Sequence, residues 1–361
     1  MVGLVNDFIS WVFIIMSIYV NTRVLQSPLT GVQRYASELV ARFGTSAALV
    51  SPRRTLQGVN GHVWEQFILP LKVCRNTLFS PSITGPLAVK RQVVAMHDVA
   101  PLDHPEWLNP KFAAWYGFLV PKLARRVAHV VTISEFSKFR ILAHTLMDEG
   151  QITVTPLAAD TKFRPLSQDV IEVSLGSLNL PTRHYVLCVG SLEPRKNLAR
   201  LLQAWRQIEN QIPNDVWLVL TGKQGNARVF AHEAGLNELP QRVYLTGHVN
   251  DEQLPSLYAG ALVFAYPSVY EGFGLPPLEA MACGVPVLTG NQTSLPEVVG
   301  DAGVMVDPYD VDALANGLQR LVEDSAMRDQ LRSKGLIRAK QFSWDETARR
   351  TWEILERVDQ S

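Results

Sequence analysis

A chain of 361 residues with 47% hydrophobic and 19% charged side chains has ordinary globular composition and room for two domains. Lys plus Arg and Asp plus Glu both total 34, so no net field draws the chain to nucleic acid, and any phosphate recognition must come from locally placed cations. The three cysteines, Cys74, Cys188 and Cys283, sit in apolar surroundings without metal-ligand spacing, which predicts free buried thiols in a reducing compartment.

At the N-terminus, Phe8 to Val20 is largely apolar but falls short of the roughly 20 residues of a spanning helix, and it lacks the flanks of a signal peptide. Ser17–Asn21 suits a first strand, so residues 1–15 read as an upstream extension, either a misassigned start before Met16 or a membrane-touching tail. Further strands are expected at Ala47–Ser51, Thr77–Phe79, Gln92–Met96, His129–Ile133 and Ile152–Thr155. Helices are expected at Val32–Phe43, where Tyr35, Leu39, Val40 and Phe43 share a face, and at Glu106–Ala128 and Glu135–Met147. The pattern fades from Asp160 to Pro181, which reads as the connection between domains. It resumes with strands at His184–Val189, Val216–Thr221, Val243–Thr246, Ala261–Ala265, Val285–Thr289 and Gly303–Val306. Helices fit Leu198–Ile208, Gln253–Tyr258, Leu278–Cys283, Asp312–Glu323, Ala326–Lys340 and Trp344–Val358. The alternation predicts an α/β protein of two doubly wound parallel sheets, over 16–165 and 182–340, followed by a last helix in 341–361.

The most informative stretch is Phe264–Gly290. A buried strand runs into a glycine-rich loop carrying Glu271, then into a helix with Pro276 and Pro277 in its first turn. Glu279 is expected in that first turn, and Gly284 ends the helix. Open parallel sheets bind ligands at this edge, and a helix start there favours an anion. Val189-Gly190 through Arg195-Lys196-Asn197 follows the first strand of the second half, with Asn197 placed to cap the next helix. Arg195 and Lys196 can clamp a diphosphate there, one as a fork and one as a point charge; a solvated basic pair is the alternative.

His97-Asp98 ends another strand, where His97 can donate to a sugar hydroxyl or carbonyl; otherwise Asp98 holds it to shape the loop. His104 reads as structural, and a zinc site from His97, Asp98, Asp103 and His104 fits no standard spacing. Gly31, at the start of the first helix, lets backbone N–H groups approach a ligand, or is a plain turn glycine. No G-x-G-x-x-G and no G-x-x-x-x-G-K-[ST] occurs, which disfavours dehydrogenase and P-loop readings. Ser134 lacks a nucleophile elbow and reads as an N-cap, and Glu297 reads as a capping residue.

The segments TGVQRYASELV, MHDVAPLDHPEW, VVTISEFSK, YVLCVGSLEPRKNL, YLTGHV, VFAYPSVYEGFGLPPLEAMACGVPVLTG and SLPEVVGDAG span nearly the whole chain beyond Met16. Together they resemble the retaining, nucleotide-sugar-dependent glycosyltransferases of family 4, the "glycosyl transferases group 1" with the GT-B fold. The TGVQRY and HD-x-x-P elements look like those of bacterial surface-polysaccharide mannosyltransferases.

The resemblance implies two Rossmann-like domains facing across a cleft, the last helix crossing back to the first. It implies that Arg195 and Lys196 neutralise the donor diphosphate without a metal or other cofactor. It places Glu271 beside the donor sugar, Glu279 on the ribose, and Gly190, the Gly274 and Leu275 amides and Gly31 near the phosphates. His97 matches the histidine facing the sugar. GDP-mannose is the first donor expected and a UDP-hexose the second, with a glycan or lipid-linked glycan acceptor. The expected location is cytoplasmic, peripheral at the inner face of the membrane. Trp107, Trp115, Tyr116, Lys122, Arg125 and Arg126 are candidates for membrane contact, with an ordinary core helix as the alternative. Competing readings are another GT-B activity, such as a phosphorylase or epimerase, and a catalytically silent sugar-nucleotide-binding subunit.

Overall fold

The computed structural model describes residues 17–361, apart from 29, 57, 191–192, 223–237 and the side chain of residue 177. The proposed extension at 1–15 lies outside the described residues.

Among the described residues, twelve strands form two six-stranded sheets in which every pair is parallel. The first contains β1 (Ile18–Asn21), β2 (Ala48–Val50), β3 (Thr77–Ser80), β4 (Gln92–Ala95), β5 (His129–Thr132) and β6 (Ile152–Val154). Their order is β2-β1-β3-β4-β5-β6. The second contains β7 (His184–Val189), β8 (Val216–Thr221), β9 (Val243–Gly247), β10 (Val263–Tyr266), β11 (Val287–Gly290) and β12 (Gly303–Val306), ordered β12-β11-β10-β7-β8-β9. Strands β4, β5, β10 and β11 are buried along their whole length, which is why they read as continuous apolar runs. Strand order reverses between β1 and β3 in one sheet and between β7 and β10 in the other. Those reversals open a crevice at the C-terminal ends of the strands.

The last helix, Trp344–Gln360, belongs physically to the first domain. Trp352 packs on Phe43 with ring centroids 5.0 Å apart, and Asp359 accepts from the Thr77 hydroxyl at 2.8 Å. One apolar cluster consequently runs from Val20 and Leu39 through Trp344 and Leu355 to Phe264 and Met281.

Several local expectations are corrected. A helical run over 58–73, with a wide turn at Trp64–Ile68, occupies a stretch for which no element was expected. Its apolar residues point both ways, so no one-sided period marks it. The span Glu106–Ala128 breaks into a tight turn, Pro105–Trp107, and a helix, Pro110–Ala124, because Asn109 caps Lys111 N (3.0 Å) and Pro110 opens the first turn. Trp107 stacks on His104, centroids 3.8 Å apart, and Tyr116 packs beside Val120 and Leu123; neither is a free surface aromatic. The connecting stretch contains its own helix, Gln168–Leu175. Cys74 is exposed at a helix end, whereas Cys188 and Cys283 are buried and their thiols are pushed up to about 12 by burial.

Candidate active site

The loop after β10 leads into the helix Leu275–Ala282 through Gly274, whose φ is +112°. A side chain there is excluded twice, by that backbone conformation and by Leu295 Cδ2, which would lie 2.8 Å from a Cβ. Leu275 opens the helix, so its backbone joins the positive helix end. Glu279 therefore lies in the second turn rather than the first.

Both glutamates are buried, with 6% of Glu271 and 5% of Glu279 exposed, yet their surroundings differ. Glu271 accepts from Lys196 Nζ at 2.7 Å and Arg195 Nη1 at 2.9 Å. Lys196 also donates to the Tyr266 hydroxyl at 2.5 Å, and Arg195 Nε donates to Glu193 at 2.6 Å. Burial opposes the charge on Glu271, but the two cations outweigh it and hold its carboxyl below the ordinary value. The basic pair is thus less free than its sequence suggests, because Glu271 and Glu193 already share it. Asn197 does not cap with its side chain: Nδ2 donates instead to the carbonyls of Pro267 (3.0 Å) and Pro308 (2.6 Å), tying the basic loop to the glutamate loop. The position of a Cβ on Gly190 lies 3.6 Å from the Lys196 stem, an ordinary contact, so packing does not require glycine there.

Glu279 faces the other domain. Tyr258 donates to its Oε2 at 3.2 Å, and Arg34 Nη1 stands 3.6 Å from Oε1. Arg34, on the first helix of the first domain (Gly31–Phe43), crosses the cleft and donates to Asp251 at 2.8 Å. Lys162 joins the same Asp251. Burial dominates, so the Glu279 carboxyl is pushed up to about 7 despite Arg34 and Tyr258.

His97 lies just beyond β4, its ring edge-on to Tyr35 with centroids 4.5 Å apart. Burial lowers its pKa to about 4, so it is neutral near pH 7. Its Nε2 is buried without a hydrogen-bond partner among the described residues. Asp98 caps Ala100 N at 3.0 Å and lies close enough to Arg195 and Lys196 to feel their charge. Gly31 begins its helix with open space where a Cβ would be, so neither backbone nor packing demands glycine there. Among the described residues no cluster of His, Cys, Asp and Glu is arranged to hold a metal ion.

Several residues that hold the two halves together have no local motif to reveal them. Ser134 Oγ accepts from Ser137 N (3.0 Å), as an N-cap should, and also donates to the Gly272 carbonyl across the cleft at 2.6 Å. A Cβ on Gly272 would lie 2.8 Å from the His97 carbonyl. Tyr270, beside Glu271, donates to Asp103 at 2.7 Å, and Asp103 also pairs with Arg140 and His144. Glu297 caps a helix, but one in the other domain: it accepts from Glu135 N (2.8 Å) and Phe136 N (2.7 Å).

The site therefore places a shared cation pair, a helix start, a neutral histidine and a near-neutral carboxyl around one interdomain crevice. Comparison with known proteins gives the chain's relatives. The family model described as glycosyl transferases group 1 matches residues 173–337. The chain is 36% identical over 277 residues to the O-antigen chain mannosyltransferase B of Escherichia coli, covering 75% of this chain and 71% of that protein. It is 30% identical over 282 residues to the serotype-specific mannosyltransferase WbdA of Escherichia coli, covering 75% of this chain but only 34% of that longer relative. Among solved structures, Anabaena Alr3699/HepE in complex with UDP and glucose superposes with a TM-score of 0.73 at 19% identity, covering 94% of this chain and 99% of that one. That likeness shows the fold, the two-domain GT-B arrangement. With the relatedness to the O-antigen enzyme over most of both chains, it establishes that this chain belongs to the glycosyl transferases group 1 family.

Proposed function

We propose that this protein is a retaining hexosyltransferase that moves mannose from a nucleoside-diphosphate sugar to a glycan or lipid-linked glycan. The acceptor belongs to cell-surface polysaccharide assembly at the cytoplasmic face of the inner membrane. GDP-mannose is the first donor and a UDP-hexose the second. The observation that carries the reading is the convergence of Arg195 and Lys196 on Glu271 at the ends of β7 and β10, beside the helix start at Gly274. Mannose is favoured by the names of the 36% and 30% identical relatives.

In this reading the anomeric C–O bond breaks with its electron pair going to the diphosphate oxygen. Arg195, Lys196 and the Leu275 end of the helix stabilise that charge as it develops. The acceptor hydroxyl oxygen bonds to the anomeric carbon on the face the diphosphate leaves, and its proton passes to the departing phosphate. No separate base is needed. Glu271, neutralised by two cations, is a weak nucleophile and an effective anchor for sugar hydroxyls. Neutral His97 offers Nε2 to another sugar oxygen, and Glu279 accepts from the ribose. Gly31 and Gly190 leave room for the phosphates to approach backbone. Two side-chain cations supply the charge that a divalent ion would otherwise bring.

The test is transfer from GDP-mannose and UDP-hexoses to a lipid-linked glycan acceptor, with chelator present and the product configuration read by NMR. Retention without metal is expected. An inverted product, or activity that returns only with Mg²⁺ or Mn²⁺, would overturn the mechanism.

A further inference from the structure

We infer that the outer face of the 58–73 helical run, together with the neighbouring side of the Pro110–Ala124 helix, docks on an anionic phospholipid bilayer. The run is apolar on both sides. Inward, Trp64, Leu69 and Val73 pack with Val50, Leu78 and Val89. Outward, Val59, Phe67 and Leu71 are 77%, 69% and 74% exposed, and Val63 and Ile68 are exposed too. Phe112 and Phe118 are exposed on the adjacent helix. Between the two elements lies an apolar groove of about 800 Å³, lined by Val63, Phe67, Leu87, Phe112 and Trp115 with Lys111 at its edge. An apolar surface this continuous marks a partner rather than chance exposure.

Charge identifies the partner. The whole chain is neutral, yet residues 53–126 carry ten Lys and Arg, all exposed, against four acids. Glu65 is buried against Arg23, Asp103 is paired with Arg140, and Asp98 lies in the cleft, which leaves Glu106 as the one exposed acid of the segment. Lys122 lays its ammonium 3.6 Å over the Phe118 ring, the arrangement of a cation that follows an aromatic into an interface. Cores of protein–protein interfaces are depleted in lysine, whereas exposed Phe, Leu and Val among Lys and Arg match lipid headgroups over acyl chains. The run also reaches a strand end at the cleft edge of the first sheet. Glu65, on the inner side of the run, accepts from Asn21 Nδ2 at 2.8 Å, at the C-terminal end of β1. A bilayer here would hold a lipid-linked acceptor beside the crevice; that clause rests on the proposed function.

Binding of the full chain to phosphatidylcholine vesicles, with and without phosphatidylglycerol, tests the inference by co-sedimentation. Binding is expected only with phosphatidylglycerol, and it should weaken as salt rises. Lys72→Glu/Lys111→Glu/Lys122→Glu should lower partitioning about a hundredfold or more, from the usual contribution of a cation near an anionic surface. Phe67→Ser/Leu71→Ser/Phe112→Ser should abolish binding, while unchanged melting and donor binding show that both variants fold. No binding to phosphatidylglycerol vesicles, or equal binding by parent and variants, would overturn the inference. So would concentration-dependent self-association lost in the apolar variant, which would assign the face to a second copy. A chain that transfers sugar to a soluble acceptor but ignores vesicles sinks this inference alone. One that binds vesicles but no sugar nucleotide sinks the functional reading alone.

Discussion

The buried Glu279 carboxyl is pushed up to about 7 from an ordinary 4.5, so carrying its charge costs the fold free energy. Between those values the folded chain keeps a proton that the unfolded chain has released. Stability from this group is therefore greatest below the unfolded value, falls as pH rises through the window and levels off above about 7. The interval corresponds to roughly 3 kcal/mol at about 1.4 kcal/mol per pH unit. Ionisable groups around it include Arg34, Lys162, Tyr258, Asp251 and Cys283; the first three lower the carboxyl and Asp251 raises it.

Glu279→Gln keeps the shape and removes the ionisation. Urea unfolding of parent and variant should agree near the acid end of the window, and the variant should be more stable by up to about 3 kcal/mol above it. Donor binding should move the other way. The ionised carboxylate is the better acceptor for ribose hydroxyls, so parental donor KM should fall as pH rises through about 7. The variant should lose that dependence and show a KM raised roughly tenfold to a hundredfold, the value of a charged hydrogen bond. A stability gap that does not change with pH would refute the burial argument. An unchanged KM would remove Glu279 from the donor site.

Lys196→Met should cost roughly 3–5 kcal/mol by leaving Glu271 buried with one cation fewer, and kcat should fall about a hundredfold to a thousandfold. Adding Glu271→Gln should restore much of the stability and none of the kcat; recovery of both would mean that Lys196 serves only to neutralise Glu271. Gly272→Ala would press a methyl against the His97 carbonyl, a backbone atom that cannot rotate away. It should cost about 1–3 kcal/mol and open the cleft, seen as a larger radius in small-angle scattering and a higher donor KM. Unchanged radius and KM would show that the two loops need not touch.

The parallel architecture was legible because strands buried on both faces become uninterrupted apolar runs, each punctuated by glycine or a polar loop. The glutamate loop was legible because Gly274, Pro276 and Gly284 have local backbone reasons for their positions. Glu279 was placed one turn too early because the helix begins at Leu275, ahead of its two prolines. The 58–73 run was missed because its exposed apolar residues and its core-facing ones look alike in a sequence.

What the chain's order of residues determined by itself was therefore local: strand, turn and cap chemistry, and the presence of cations and carboxylates at strand ends. The tertiary structure alone decided who meets whom. Arg34 reaches Asp251 across 217 positions, Glu297 caps a helix in the other domain, and Lys196 is shared between Glu271 and Tyr266. The physical reason is that burial and charge pairing depend on distance in space. Two glutamates eight residues apart consequently have acidities shifted in opposite directions: one is closed in by two cations, while the other is buried beside the Tyr258 hydroxyl and an arginine held just out of hydrogen-bond reach.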